Sequence, residues 1–360
     1  MSRFVQIHTL TSYPASLLNR DDAGFAKRIP FGDVTRVRVS SQCLKRHWRE
    51  FDGADGLRGA GAPMSVRSRV TFDREVYQKL REEGGEGTLA RAVSAADQDE
   101  EIGERDKKEA KDEAAEKKAK KKGDDKKPDD AKPAEKTSEA GRTEQVTVLG
   151  RPEVEYFLGH ARAVCKESPA PDKVAKLVGE RMKDARKNLA TMRVGAGLDA
   201  AMFGRMVTSD ILARCDAAVH VAHAFTVHAQ SAETDYFSAI DELARERDET
   251  QLGSGHIGTA ELTTGLFYGY VVVDVPLLVS NLEGCEASQW QKADRALARE
   301  VVRRMVHMTA TVSPGAKRGS TAPHAYAHAV LIEAGDAQPR TLANAFLKPV
   351  RGGGDLLANA

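Results

Sequence analysis

Apolar and polar positions alternate along Phe4–Leu10 (FVQIHTL) and again along Val34–Ser40 (VTRVRVS), and both runs are rich in β-branched residues. That pattern predicts two strands. Between them lies TSYPASLLNRDDAGFAKRIPFGD, a connection of about twenty residues, a length that marks a functional loop or an unordered one. After the glycine-rich boundary GADGLRGAGAPMS the period changes from two to 3.6. Helices are predicted over DREVYQKLREE, GTLARAVSAA, RPEVEYFLGHARAVC and PDKVAKLVGERMKDARKNLA; in the last, Val174, Leu177, Val178, Met182, Ala185 and Leu189 share a face. Alternation returns in AAVHVAHAFTVHA, which puts Val219, Val221, His223, Phe225 and Val227 on one side of a single strand, and in LTTGLFYGYVVVDV. The run EASQWQKADRALAREVVRRMVHM predicts an amphipathic helix opened by a capping box, Ser288 with Gln291. Its inward stripe is Trp290, Ala293, Leu297, Val301, Val302, Met305 and Met308. HAYAHAVLIEA predicts one more strand. Strands separated by helices without βαβ repetition point to an α+β fold, an antiparallel sheet of ferredoxin-like or RRM-like type, with residues 61–190 as a mostly helical insertion.

Composition changes this picture in one place. The chain of 360 residues has a formal net charge of +1, but residues 97–139 hold 16 acids and 13 bases with almost no apolar side chain. Such a segment cannot offset the entropy of ordering, so it is expected to be a disordered surface insertion. Its lysine run, Lys117 to Lys127, reads either as a solubilising linker or as a non-specific DNA contact. Residues 1–50 carry nine Lys and Arg against four acids, a basic bias that is a cue for nucleic acid. Four single cysteines without a CxxC argue against a zinc site or a disulfide framework and for a reducing cytoplasm. No signal profile or membrane-spanning run is present; LFYGYVVVDVPLLV is broken by Asp274 and Pro276.

The candidate chemistry centres on Arg36–Arg49, RVRVSSQCLKRHWR, a basic run with no acid in it. Strand alternation puts Arg36, Arg38 and Ser40 on one face and Val37 and Val39 on the other. Ser40 or Ser41 stands where a helix cap is wanted. The helix that follows would bury Leu44 and Trp48, turn Lys45 and Arg49 to one face and set Arg46 beside them. A strand, a cap and a free helix N-terminus together surround a backbone phosphate with donors. The loop SPGAKRGSTAPHA, with Lys317 and Arg318 among small residues, reads either as a second backbone clasp or as a plain turn. GSGHIG matches a dinucleotide fingerprint literally, but it leads into a strand rather than a helix and is expected to be a flexible turn. His220, His223 and His228 lack carboxylate or cysteine partners at ligand spacing and are expected to be core or surface histidines. No nucleophile elbow, P-loop or HExxH occurs, and no cofactor is implied.

Taken together, HTLTSYPASLLNRDDAGFAKRIPFG, RVRVSSQCLKRHWR, AMFGRM, AAVHVAHAFTVHA, DYFSAIDEL and PGAKRGSTAPHA resemble, in order, the CasC family, the repeated backbone subunit of the type I-E CRISPR surveillance complex Cascade. The resemblance spans nearly the whole chain except the charged insertion. It implies an RRM-like palm (1–60 and 217–360), helical fingers (61–190) and a thumb (191–216). Arg20, Lys27, Lys45, Arg46 and Arg49 would contact guide RNA phosphates, and Met202 and Phe203 would form the wedge beside a displaced base. The implied partners are the guide RNA, target DNA through the guide, copies of the chain itself and other Cascade subunits, in the cytoplasm. Catalysis is not expected. The alternative is an endoribonuclease, since superfamily relatives cut RNA with an Asp in the loop that here holds Asp21 and Asp22.

Overall fold

The structure is a computed structural model that describes residues 2–83, 87, 89–96, 146–167, 170–190, 192–205, 215–240 and 254–351. The charged insertion at 97–139 and most of the segment after AMFGR therefore lie outside the described residues. The chain divides into two compact units, Met1–Ala60 with Val219–Val275 and Ala296–Ala360, and Gly61–Ala218 with Pro276–Arg295.

The strands are β1 (Phe4–Ser16), β2 (Arg28–Pro30), β3 (Thr35–Val39), β4 (Ser65–Ser68), β5 (Thr147–Gly150), β6 (Val219–Val221), β7 (Ala224–Thr226), β8 (Ala232–Ile240), β9 (Ser254–Asp274) and β10 (Ala329–Gly335). The helices are α1 (Ser41–Glu50), α2 (Gln78–Glu82), α3 (Arg151–Lys166), α4 (Pro171–Ala190), α5 (Leu198–Phe203), α6 (Val275–Glu283), α7 (Ala296–Thr311) and the single turn α8 (Arg318–Thr321).

In the first unit an antiparallel sheet runs in the order β10-β1-β9-β7-β3-β2. β1 is an interior strand between β9 and β10: Ile7 stands opposite Val271 on one side and Ile332 on the other. With α1 between β1 and β7, and α7 between β9 and β10, this is the β-α-β-β-α-β order of ferredoxin-like folds. The α+β expectation holds. Alternation sorts the side chains. Tyr13, Val37, Val39 and Phe267 enter the core beneath Cys43 and Leu44 of α1, and Val301, Met305 and Met308 of α7 are fully buried.

The opposite face is covered as well. Val227, Leu266 and Tyr268 pack against Phe346, Leu342 and Ala343 from the segment that follows β10. The turn between β2 and β3 fits closely under that segment. Gly32 has φ +56°, and a Cβ there would fall 1.6 Å from the Leu347 carbonyl oxygen. His8 lies under the same cover, 2.9 Å from the Tyr268 hydroxyl and 3.1 Å from Glu333, with its ring stacked on Tyr270. Burial lowers the His8 pKa against the opposing pull of Glu333, and pushes the Tyr270 phenol up to about 12.

Four local expectations change. β1 runs on to Ser16 through a register shift after Tyr13. AAVHVAHAFTVHA is not one strand but β6 and β7. The break at Ala222–His223 puts Val219, Ala224, Thr226 and Val227 in the interior and leaves His220 and His223 exposed. The helix expected from Ser288 starts at Ala296, after a short 3-10 turn at Ala287–Gln289, so the Ser288/Gln291 box does not open it. Ser254–Gly258 of GSGHIG belongs to β9 and pairs with β8, not to a turn. The glycine there makes room, because a Cβ at Gly258 would meet the Phe237 ring at 2.5 Å.

The second unit joins the β4–β5 ribbon to helices around Phe72, Val76, Leu149, Phe157, Val164 and Val178. Glu153 accepts the Gly150 amide at the start of α3 and holds Arg205 through two bonds of 2.5 and 2.8 Å in full burial. Asp199, also fully buried, takes the Ser65 amide and hydroxyl and the Arg67 guanidinium.

Candidate nucleic-acid interface

Ser40 has extended backbone (φ −71°, ψ 149°), and its hydroxyl accepts the Cys43 amide at 3.3 Å, closing the cap that the sequence predicts. Asn19 anchors the cap from the other side: its Oδ1 accepts the Ser40 amide and its carbonyl accepts the Lys27 amide. Trp48 buries the inner stripe of α1. His47 accepts the Gly315 amide on Nε2 and donates Nδ1–H to the Cys43 carbonyl at 2.7 Å, so α1 is fastened to the loop that ends in α8.

These fastenings frame a groove of about 710 Å³ beside α1, lined by Arg20, Ser40, Arg46 and Arg318, together with Asn19, His47, Glu50 and Asp52. Arg20, Arg46 and Arg318 are exposed and come from three separate segments. Arg46 and Arg318, with Lys27, act on the Cys43 thiol: burial raises its pKa, and these three cations pull it back. The groove also holds acids that the uninterrupted basic run hid. Arg46 Nε donates to both oxygens of Glu50, one turn on, at 3.1 and 3.2 Å.

The remaining expected contacts are placed differently. Arg36 is fully buried, and its guanidinium donates to the carbonyls of Phe31, Thr226 and Phe346. The strand alternation holds, but the face that Arg36 shares with Arg38 is covered rather than open. Arg38 is half-buried and donates to the Arg28 carbonyl and to His223 Nδ1, so it does not line the groove. Lys45 and Arg49 are half-buried on α1 and also stand outside the lining; burial lowers the Lys45 pKa, and Arg49 sits 3.6 Å from Glu50. Lys317 places its ammonium 5.8 Å from the centre of the Phe237 ring. Met202 is fully buried and Phe203 half-buried, both in α5 of the second unit. Met202 is thus a core residue rather than a wedge, because the short helix turns it into packed side chains.

Asp21 has a local task, since its Oδ1 accepts the Phe25 amide at 2.9 Å and closes the loop. His228 is structural too: it accepts the Leu266 amide and donates to the Ala229 carbonyl. Among the described residues, no group of three or more His, Cys, Asp and Glu is arranged to hold a metal ion, and no helix is long and apolar enough to cross a membrane. Sequence reasoning missed an exposed arm. Before Thr263, β9 pairs with β8 alone among the described residues, and β8 carries Tyr236 (62% exposed) and Phe237 (41% exposed). Two adjacent exposed aromatics in DYF were the available signal.

Fold and groove define a ferredoxin-like protein with exposed arginines from three segments gathered at a capped helix start. The family model described as CT1975-like protein matches residues 5–360, and the chain belongs to this family of Cas proteins. No match was found among curated proteins. Among solved structures, a chain titled "CRISPR RNA-guided surveillance complex, pre-nicking" superposes with TM-score 0.69 at 27% identity, covering 99% of this chain and 85% of that one. Another, titled "CRISPR RNA-guided surveillance complex", gives TM-score 0.48 at 22% identity, covering 99% and 79%.

Proposed function

We propose that the chain is a subunit of a CRISPR RNA-guided surveillance complex and, more narrowly, the type I-E backbone subunit of the CasC kind. In this reading its first unit is the RRM-like palm, copies line up along the guide RNA in the cytoplasm, and other subunits and target DNA join through that assembly. The observation that carries it is the groove of Arg20, Arg46 and Arg318 at the capped start of α1. Guanidinium groups on a rigid frame hold phosphates of any sequence, which suits a protein whose guide changes from one molecule to the next. Base identity is then left to pairing between guide and target. The exposed Phe237, with Lys317 beside it, offers a flat apolar surface to any base.

In this reading the subunit is a scaffold without chemistry of its own. The endoribonuclease alternative asks Asp21 or Asp22 to act on RNA, and the commitment of Asp21 to the Phe25 amide weighs against it. The test is charge reversal of Arg20, Arg46 and Arg318 to Glu, followed by measurement of co-purifying RNA and of affinity for single-stranded RNA across a salt series. Loss of RNA and a salt slope shallower by about 0.7 per lost phosphate contact are expected. RNA retention equal to the parent protein overturns the assignment, and cutting of a complementary RNA that depends on Asp21 or Asp22 restores the alternative.

A further inference from the structure

One acid beside this basic site is not explained by charge. Glu261 is 7% exposed, on β9 where the arm leaves the sheet, opposite Thr234 of β8. Its Oε2 accepts the Ala26 amide at 2.6 Å, and its Oε1 pairs with the Arg28 guanidinium. Ala26 is the bridge partner of Arg20 across the loop, and Lys27 lies between Ala26 and Arg28. Thr263 and Thr264 continue the seam, since Thr263 Oγ1 donates to the Ser16 carbonyl and Thr264 Oγ1 accepts the Ala15 amide. The loop that carries Arg20 is thus stitched to the root of the arm, and the pair of Glu261 with Arg28 is the charged link in those stitches. The arm also reaches the other wall of the groove, where Lys317, next to Arg318, lies over Phe237.

We propose that Glu261 is a positioning residue for RNA binding: it locks the Arg20–Lys27 loop to the β8–β9 arm, so that arm and groove wall meet the RNA as one body. This rests on the RNA-binding reading above. A buried carboxylate that holds a backbone amide and a guanidinium at once adds a charge-assisted anchor between this loop and the arm. Without it, Arg20 and Lys27 must be ordered at the moment of binding, at a cost in affinity.

The two possible roles of an acid here predict opposite signs. If Glu261 were only one more charge near the site, Glu261→Gln would remove repulsion and tighten binding. Positioning predicts weaker binding, on the order of tenfold in Kd, with a salt slope shallower by about 1.4 as two phosphate contacts are lost. The experiment titrates a labelled mixed-sequence single-stranded RNA onto the full chain at several salt concentrations, for the parent, Glu261→Gln and Glu261→Asp, with thermal melts alongside. Glu261→Asp keeps the carboxylate and is expected to fall between the other two. If Glu261→Gln fails to fold, Arg28→Gln severs the same link from a side chain that is 42% exposed. Loss of one charge then lowers the slope by at most about 0.7, whereas loop release lowers it by about 2.1. Equal or tighter binding by Glu261→Gln, or a slope change in Arg28→Gln no larger than one contact, overturns the proposal. A parent protein that binds no RNA overturns the functional reading instead.

Discussion

The guanidinium of Arg36 donates Nη2–H to the carbonyl of Phe346 at 2.7 Å, joining two positions 310 residues apart in the chain. Its other bonds go to Phe31 and Thr226, and the Phe31 ring lies 5.5 Å from the guanidinium carbon. Arg36 therefore stands at the centre of the covered sheet face and acts as a clasp for the segment after β10. Replacing it by Met strands three carbonyls and is expected to cost about 3 kcal/mol. Arg36→Lys is expected to be nearly as damaging, because an ammonium does not reproduce the planar fork. Urea unfolding of the purified chain reads both; a change within 0.5 kcal/mol of zero contradicts the clasp.

Glu50 and Glu261 are expected to respond to neutralisation in opposite directions. Glu50 is exposed and competes for Arg46, with Arg49 also 3.6 Å away. Glu50→Gln frees that arginine and removes a negative charge from the groove, so affinity for single-stranded RNA is expected to rise by about twofold, with stability unchanged. A fall in affinity shows that the Arg46–Glu50 pair orients Arg46 rather than holding it back.

Met202 is expected to report on folding alone. Full burial means that Met202→Ala removes packed atoms and leaves a cavity, at about 2–5 kcal/mol. Equilibrium denaturation reads that loss, and RNA bound per folded molecule should be unchanged. Reduced RNA affinity in a fully folded variant would return Met202 to the wedge role implied by its family resemblance.

The His8 cluster predicts acid sensitivity. Burial is the main cause of its lowered pKa; Arg340 adds to it and Glu333 opposes it, while Tyr268 and Tyr270 face the ring. In the unfolded chain His8 takes up a proton near its ordinary value of 6.5, whereas in the folded chain it resists until a lower pH. Stability is therefore complete above 6.5 and falls as the pH drops through that value. Melting temperatures followed downward from neutral pH should decline, and His8→Gln should flatten that decline. An equal decline in the variant assigns the effect elsewhere.

Much of the first unit was legible because one rule, the alternation of side chains between two faces, governs β1, β3 and β9, and because Ser40 has the cap chemistry that its position demands. The cover over the second sheet face was not legible. Alternation says that Arg36 and Val37 oppose each other, but not that Phe346 will close over Arg36. The groove was half legible: local charge density marked Arg46, yet Lys45 and Arg49 share the density without sharing the surface. Which base faces the groove is set by contacts such as His47 to Gly315 and Ser40 to Asn19, between segments far apart in sequence. Glu261 left no local sign at all, since its partners Ala26 and Arg28 lie more than 230 residues away.

The place of β1 between two late strands has a consequence for synthesis. Both of its neighbours, β9 and β10, come from beyond residue 250. At about 5–20 residues per second, β1 leaves the ribosome and waits roughly ten to fifty seconds before either edge can pair. Throughout that interval FVQIHTL is an unpaired apolar edge, the kind of segment that seeks strands of other chains. The second unit, encoded mostly between the halves of the first, can assemble during the wait. Production of folded protein is thus expected to depend on how long that first strand can be kept from the wrong partner.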